Sequence, residues 1–395
     1  MLHDEPIQKI RGQYIKDYRQ YLKFTQEQLA ELIGVDARSI GAWERGRVNS
    51  IRNTNLVELV HALGMPPGLL GLPEYLTPEG AEKMEREARA FLEEGAYLSA
   101  QALCASLTPY LTKLVRNGKA AHLPALIRIK HLTGITIATL KNKPDLALHK
   151  YMQMAQDTYQ LENVDPIALA LAHIGQADMY RRLGKFDVAQ DLLESVESRF
   201  RFAKRSGTEI DIAVLGNCYQ LLTRVYLARG EISQSLEALR KAMDLADQMS
   251  VLESPWYICF GKCSTMEEAA KTYMLLRQYD KSFEYIAQAK ILSRNAAPRW
   301  EIPITLTEGE SYARASRDVE PPHAKAARNE PEYYERGFKS LLEGYELAKD
   351  HNHLRQMQRV QRLTTKWEHE GGISLELAHT LREEMAKIDR TKGNA

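Results

Sequence analysis

A chain of 395 residues, 44% hydrophobic and 27% charged, has the composition of a globular protein; disorder over most of its length is excluded, and about 150 residues per domain gives two to three domains. Its 53 basic residues balance 52 acidic ones, which excludes a protein that coats nucleic acid with its whole surface but leaves room for one small DNA-reading module. Ala, Leu, Glu, Gln, Lys and Arg outnumber β-branched and aromatic runs, so an all-α fold is expected.

Four short helices are predicted in the first seventy residues. Ile10 to Lys23 is amphipathic. Thr25 then offers a hydroxyl to the exposed amides of a second helix, Gln26 to Ile33, with Gln28 at the capping-box position and Leu29, Leu32 and Ile33 as its apolar face. Gly34 permits the left-handed turn that follows. Asp36 caps a third helix from Ala37 to Glu44, which Gly46 ends, and Leu56 to Leu63 reads as a fourth, stopped by Gly64 and the Pro66-Pro67 pair.

Two short helices joined by a glycine-centred turn form a helix-turn-helix pattern. The run FTQEQLAELIGVDARSIGAWERG from Phe24 to Gly46 resembles the Cro/cI-type (Xre) DNA-binding domain over about residues 9 to 72. That resemblance implies double-stranded DNA as a partner and a recognition helix from Ala37 to Glu44 in the major groove. Arg38 is the candidate base reader, since a guanidinium can bridge guanine O6 and N7; Asp36, Ala37 and Gly41 line the same face. Gly41 departs from the polar residue usual in the family there. Gln26 and Ser39 would touch phosphates, and Arg45, Arg47 and Arg52 would contact the backbone from the following loop. Ile40 and Trp43 would face the core, and the family pairs Glu44 with Arg19. Residues 9 to 52 hold nine Lys/Arg against five Asp/Glu, an excess of only four, so one copy should bind weakly and a homodimer is expected.

From about Thr77 the sequence reads as helix throughout, and a turn recurs in it. The turn appears at Gly95–Ala100, Asn142–Ala147, Gly184–Ala189, Gly230–Ser235 and Arg277–Ser282, and a sixth copy ends at Gly337. The small residues at 100, 147, 189, 235 and 282 are 47, 42, 46 and 47 apart; the sixth follows 55 later, across a polar insert from Arg317 to Glu330. Each unit reads as helix, turn, helix, with the small residue where the helices cross. This is similar to tetratricopeptide repeats, with a longer period than usual. The domains expected are therefore 1–73, the helix-turn-helix domain, and 74–395, a right-handed α-solenoid of about six tetratricopeptide-like helix pairs. The repeat pattern places Asp178, Arg181, Asn217, Gln220, Arg224, Glu267 and Lys271 in the groove, where Asn and Gln could clamp a peptide backbone and the charges could fix its ends. Tyr180, Tyr226 and Tyr273 fall at packing positions.

Other chemistry is missing from the sequence. The start Met-Leu-His-Asp-Glu-Pro has no secretory pattern, and the nearest apolar window, Leu123 to Leu140, carries Arg128, Lys130 and His131, so no membrane partner and a cytoplasmic location are expected. Cys104, Cys218, Cys259 and Cys263 read as reduced residues packed in helices; Cys259 and Cys263 lack a second ligand pair, so neither metal nor cofactor is expected. No phosphate-binding glycine loop, dinucleotide fingerprint, His-Glu-x-x-His or nucleophile elbow occurs, which argues against an enzyme. An Xre-type domain followed by such repeats resembles the RRNPP group of peptide-sensing regulators, and implies a homodimeric transcription factor controlled by a short peptide. A partner protein as effector, or a repeat scaffold with a minor DNA role, are the other readings left open.

Overall fold

The computed structural model describes residues 5–48, 51, 53–65, 67–70, 77–201, 207–249, 256–294, 300–318, 330–370 and 373–393. Among the described residues there are eighteen α-helices and no strand. The chain divides into two compact units: Met1–Leu92 with Leu98–Thr136, and Glu93–Tyr97 with Ile137–Ala395.

The first unit begins with α1 (Glu5–Tyr21), α2 (Gln26–Leu32), α3 (Ala37–Glu44) and α4 (Asn53–Leu63), and continues with α5 (Pro78–Glu93), α6 (Tyr97–Arg116) and α7 (Leu123–Thr136). The local signals act as expected. Thr25 and Gln28 form a reciprocal capping box, and Asp36 caps α3. Gly34 adopts φ +68° between the two helices, a conformation that costs glycine nothing. Tyr14, Ile15, Leu29, Ile33, Ile40, Trp43 and Leu59 form the buried centre of this segment. Leu32 departs from expectation: it is 58% exposed, because the last turn of α2 carries it away from the side that holds Leu29 and Ile33. In α5 and α6, Ala88 and Ala100 are fully buried.

The second unit holds a five-residue π-helical stretch (Ile137–Lys141), then α8 (Pro144–Thr158), α9 (Pro166–Arg182), α10 (Phe186–Phe200), α11 (Glu209–Arg229) and α12 (Ile232–Ala246). It ends with α13 (Lys262–Leu275), α14 (Tyr279–Ser293), α15 (Glu301–Asp318), α16 (Glu330–Asp350), α17 (Leu354–Glu370) and α18 (Ile373–Gly393). From α5 onward the chain runs helix-turn-helix seven times, one more than the six turns marked in the sequence. The added pair is α17 and α18, which closes on Trp367, Leu363, Leu377 and Leu381 against Leu341 and Tyr345 of α16.

The recurring small residue has the expected use. Ala147, Ala189, Ser235 and Ser282 have no exposed surface. Serine fits this tight place because its hydroxyl donates to a carbonyl twelve residues earlier: Ser235 to Thr223 at 2.9 Å and Ser282 to Ala270 at 2.9 Å. At the sixth copy Gly337 lies so near α15 that a methyl would come within 2.9 Å of the Ala313 backbone nitrogen. Most of the polar insert lies outside the described residues.

Two smaller expectations are corrected. Tyr180, Tyr226 and Tyr273 are half-buried rather than core; Tyr273 stacks on Tyr285 at 5.4 Å, in the outer shell of its helix pair. All four cysteines are free, but Cys259 is exposed in the irregular segment ahead of α13 rather than packed in a helix. No described helix is long and apolar enough to cross a membrane.

Candidate DNA-reading face and charged cavity

The placement of α3 depends on one carboxylate. Glu44 accepts from Arg19 Nε at 2.6 Å and Nη2 at 3.2 Å, and from Gln26 Nε2 at 2.7 Å. Arg19 also donates to the Phe24 carbonyl at 2.7 Å. Three helices therefore meet at a pair whose side chains are 11% and 5% exposed, where ion pairs are screened little by water. Gly12 makes the arrangement possible. A methyl group there would overlap the Trp43 carbonyl oxygen, so α1 and α3 touch backbone to backbone. Nothing in the local pattern marks Gly12, since its neighbour is 31 residues away in the chain.

On the outer side, Arg38 and Arg45 are exposed, Ala37 and Ser39 are half-exposed, and Ile40 and Trp43 are buried. Asp36 is exposed, but its Oδ1 accepts the Arg38 amide at 2.7 Å and so starts the helix. Gly41 is covered: its missing side chain leaves space that the Gln26 amide and the Arg45 guanidinium occupy, each 3.3 Å from where a Cβ would stand. A shallow depression of about 400 Å³ opens here, lined by Gln13, Lys16, Arg19, Gln26, Gly41, Glu44 and Arg45. Lys16 and Gln13 were not anticipated; they lie on the α1 face that reaches this depression. Arg47 is exposed, and Arg52 lies outside the described residues. This segment is fixed within its unit by tyrosines. Tyr14 donates to the Ala102 carbonyl and Tyr18 to Glu87, and the Tyr18 and Tyr21 rings meet Phe91 edge-on. Burial keeps the Glu87 carboxyl above its usual range, although Tyr18 donates to it.

The second candidate site lies wholly in the second unit. A cavity of about 610 Å³ is lined on one side by Arg181, Arg224 and Lys271, and on the other by Arg355, Arg359 and Arg362 of α17. Leu227, Ala228, Met274 and Leu275 give it an apolar wall. Most of the charges around it are matched. Asp178 takes Arg181 at 2.7 Å and Arg182 at 2.6 Å; burial opposes its ionisation, but these guanidiniums outweigh burial and hold its carboxyl well below the usual range. Glu268 takes Arg224 at 2.8 Å through Nε, and Glu267 takes Lys271 at 2.5 Å. Glu310 takes Arg314 at 2.7 Å and Arg359 at 2.9 Å. Glu268 and Glu310 are likewise held low against the cost of burial, the first by Arg224 and the second by Arg359 and Arg314.

Of the seven groove residues expected from the repeat pattern, Arg181, Arg224 and Lys271 line this cavity, and Asp178 and Glu267 hold lining cations from behind. Gln220 does not reach it. It is 3% exposed, with its amide 2.9 Å from Thr265 Oγ1 and 3.2 Å from Ser264 Oγ, where it ties α11 to α13. Asn217 is half-buried and is not part of the lining either. The residues that sequence reading missed, Arg355, Arg359 and Arg362, are on the helix pair that the recurring turn does not mark.

Residues 15–70 match a family model described as helix-turn-helix. This segment is a helix-turn-helix domain. No curated protein is similar to the chain in sequence. Among solved structures it is similar to PlcR from Bacillus thuringiensis in complex with the peptide PapR7 and DNA, at 14% identity and TM-score 0.37, over 72% of this chain and 97% of that one. It is also similar to ComR from S. thermophilus in complex with DNA and its signalling peptide ComS (15%, TM-score 0.39, 77% and 99%). A third likeness is to the apo form of the competence regulator ComR from Streptococcus vestibularis (13%, TM-score 0.38, 78% and 99%).

Proposed function

We propose that the protein is a sequence-specific DNA-binding transcription regulator, acting in the cytoplasm as a homodimer, whose helical repeats bind a peptide or protein effector. The observation that carries this reading is the helix-turn-helix segment itself, with α3 fixed from behind by Glu44 and Arg38 exposed on its first turn. In this reading residues 1–73 are the reading head and 74–395 the repeat domain.

Arg38 reads a base edge in the major groove, beside Ala37. Ser39 and Gln26 approach phosphates, and Arg45, Arg47 and Arg52 follow the backbone. Asp36 acts through the helix cap, and Gly41 acts by leaving space for Gln26, which bears on Glu44. For the effector, Arg181, Arg224 and Lys271 are the contacting groups, Asp178 and Glu267 position them, and Gln220 serves the helix interface, while Asn217 stands half-buried outside the lining. An effector seated in the cavity would shift the population between two arrangements of the helix pairs around it.

The test is selection of bound sequences from a random DNA pool with the wild type and Arg38→Ala. The wild type is expected to enrich paired half-sites about one helical turn apart or a multiple of it, and Arg38→Ala to lose discrimination at one position in each half-site. An unchanged preference in Arg38→Ala would refute the base-reading role.

A further inference from the structure

The charged cavity is unevenly matched. Around it stand eight cations: Arg181, Arg182, Arg224, Lys271, Arg314, Arg355, Arg359 and Arg362. Against them are four carboxylates, those of Asp178, Glu267, Glu268 and Glu310, each already engaged by at least one cation. The difference is four positive charges. Two guanidiniums account for the clearest part of it: among the described residues, Arg355 and Arg362 have neither an ion-pair nor a hydrogen-bond partner. Arg362 stands exposed at the rim, whereas Arg355 is half-buried in the lining.

Arg355 is the informative one. A partly buried guanidinium with five donors and no acceptor is costly to keep. Its neighbours add to that cost. Repulsion from Arg182, then burial, push its acidity up until its pKa falls to about 9, with Asp178 only partly offsetting them. Among the described residues, the other half-buried arginines around this cavity have carboxylates: Arg182 has Asp178, Arg224 has Glu268 and Arg359 has Glu310. A fold that matches all of these and leaves Arg355 half-buried in the lining, with Arg362 at the rim, has an acceptor position to fill from outside.

We propose that this cavity binds a multiply charged oxyanion through Arg355 and Arg362, with the apolar wall of Leu227, Met274 and Leu275 receiving the uncharged part of the ligand. Planar guanidiniums engage carboxylate and phosphoryl oxygens in pairs, so the shared chemistry is two or more anionic oxygens close together. This deepens the effector reading above and rests on it only for the consequence to DNA binding.

Calorimetric titration of the full-length protein at fixed ionic strength tests the site. The probes are inorganic pyrophosphate and a blocked tri-glutamate peptide, with a blocked tri-glutamine peptide as the neutral counterpart. One equivalent of at least one anion is expected to bind per chain, and the tri-glutamine peptide is expected not to bind. Binding of pyrophosphate alone identifies a phosphoryl ligand, and binding of tri-glutamate alone a carboxylate ligand; either upholds the site. Arg355→Met should weaken binding at least tenfold, and Arg362→Met should weaken it less. Arg240→Gln, which alters an exposed pair elsewhere, should leave it unchanged. Without anion, Arg355→Met should raise the unfolding midpoint by roughly 2 °C or more, because it removes an unmatched charge. A structural arginine would give the opposite sign. No binding of either anion at millimolar concentration, or equal binding in Arg355→Met, overturns the inference. Binding that depends on Arg355 but leaves DNA affinity unaltered upholds the anion site and overturns the effector reading.

Discussion

Removing the Glu44 carboxylate is the sharpest test of how α3 is held. Glu44→Ala deletes three hydrogen bonds, two from Arg19 and one from Gln26. Arg19 is left 11% exposed with a single acceptor, the Phe24 carbonyl. Breaking a buried pair by removing one partner costs about 3–5 kcal/mol. The retained bond and the slight exposure of Arg19 place this case near the lower end, at about 3 kcal/mol. For a unit of this size that corresponds to a fall of roughly 10 °C in its unfolding midpoint. The assay is a double-mutant cycle of Arg19→Ala, Glu44→Ala and the double variant, followed by thermal and urea unfolding. The coupling energy is expected near 2 kcal/mol. A coupling below about 0.5 kcal/mol, the value of an exposed ion pair, would refute the claim that this carboxylate holds the three helices together.

Three further outcomes are expected. Gly12→Ala forces a methyl into the Trp43 carbonyl and should destabilise the first unit by about 2 kcal/mol or more, with DNA binding lost in parallel; a neutral effect in calorimetry would show that the close approach is not required. Gly216→Ala should have a similar cost in the second unit, because the Phe260 ring lies on that glycine, and Phe260→Leu in the same chain should recover part of it. The third concerns pH. Burial, and then Arg355, hold the imidazole of His353 down to about 3, so the folded state prefers it neutral. Its stabilising contribution is complete above the unfolded value near 6.5 and is lost as pH falls, by about 1.4 kcal/mol per pH unit, until the folded value is reached. His353→Gln should flatten the stability of the second unit between pH 6 and 4, and an unaltered slope there would contradict the assignment.

What could be read from the sequence was whatever short-range chemistry dictates. Thr25, Gln28, Gly34 and Asp36 act on amides and turns within four residues of themselves, so the limits of α2 and α3 followed from them. The Arg19–Glu44 pair came from family resemblance, and geometry then supplied its distances. Ala189, Ser235 and Ser282 could be recognised because one packing problem recurs at a fixed interval. Gly12 could not, because its reason is a backbone 31 residues away. The cations of α17 were hidden for a similar reason: the helix belongs to a pair without the recurring turn, and only tertiary packing sets Arg355 and Arg359 opposite Arg224 and Lys271. Leu32 shows the converse error, in which an apolar residue at helical spacing faces solvent because a seven-residue helix has room for only two core positions.

The tight serine and alanine crossings also bear on how such a chain can change. A bulkier side chain at Ser235 would wedge α11 from α12, whereas one at Ser282 would disturb both its own pair and the next, because the Ser282 hydroxyl also lies 3.0 Å from that of Ser311 on α15. A change at Ser235 therefore bears first on one pair, and a change at Ser282 on two. The cavity residues, drawn from α9, α11, α13, α15 and α17, tie five helices together in the same way, so none of these pairs can shift without its neighbours.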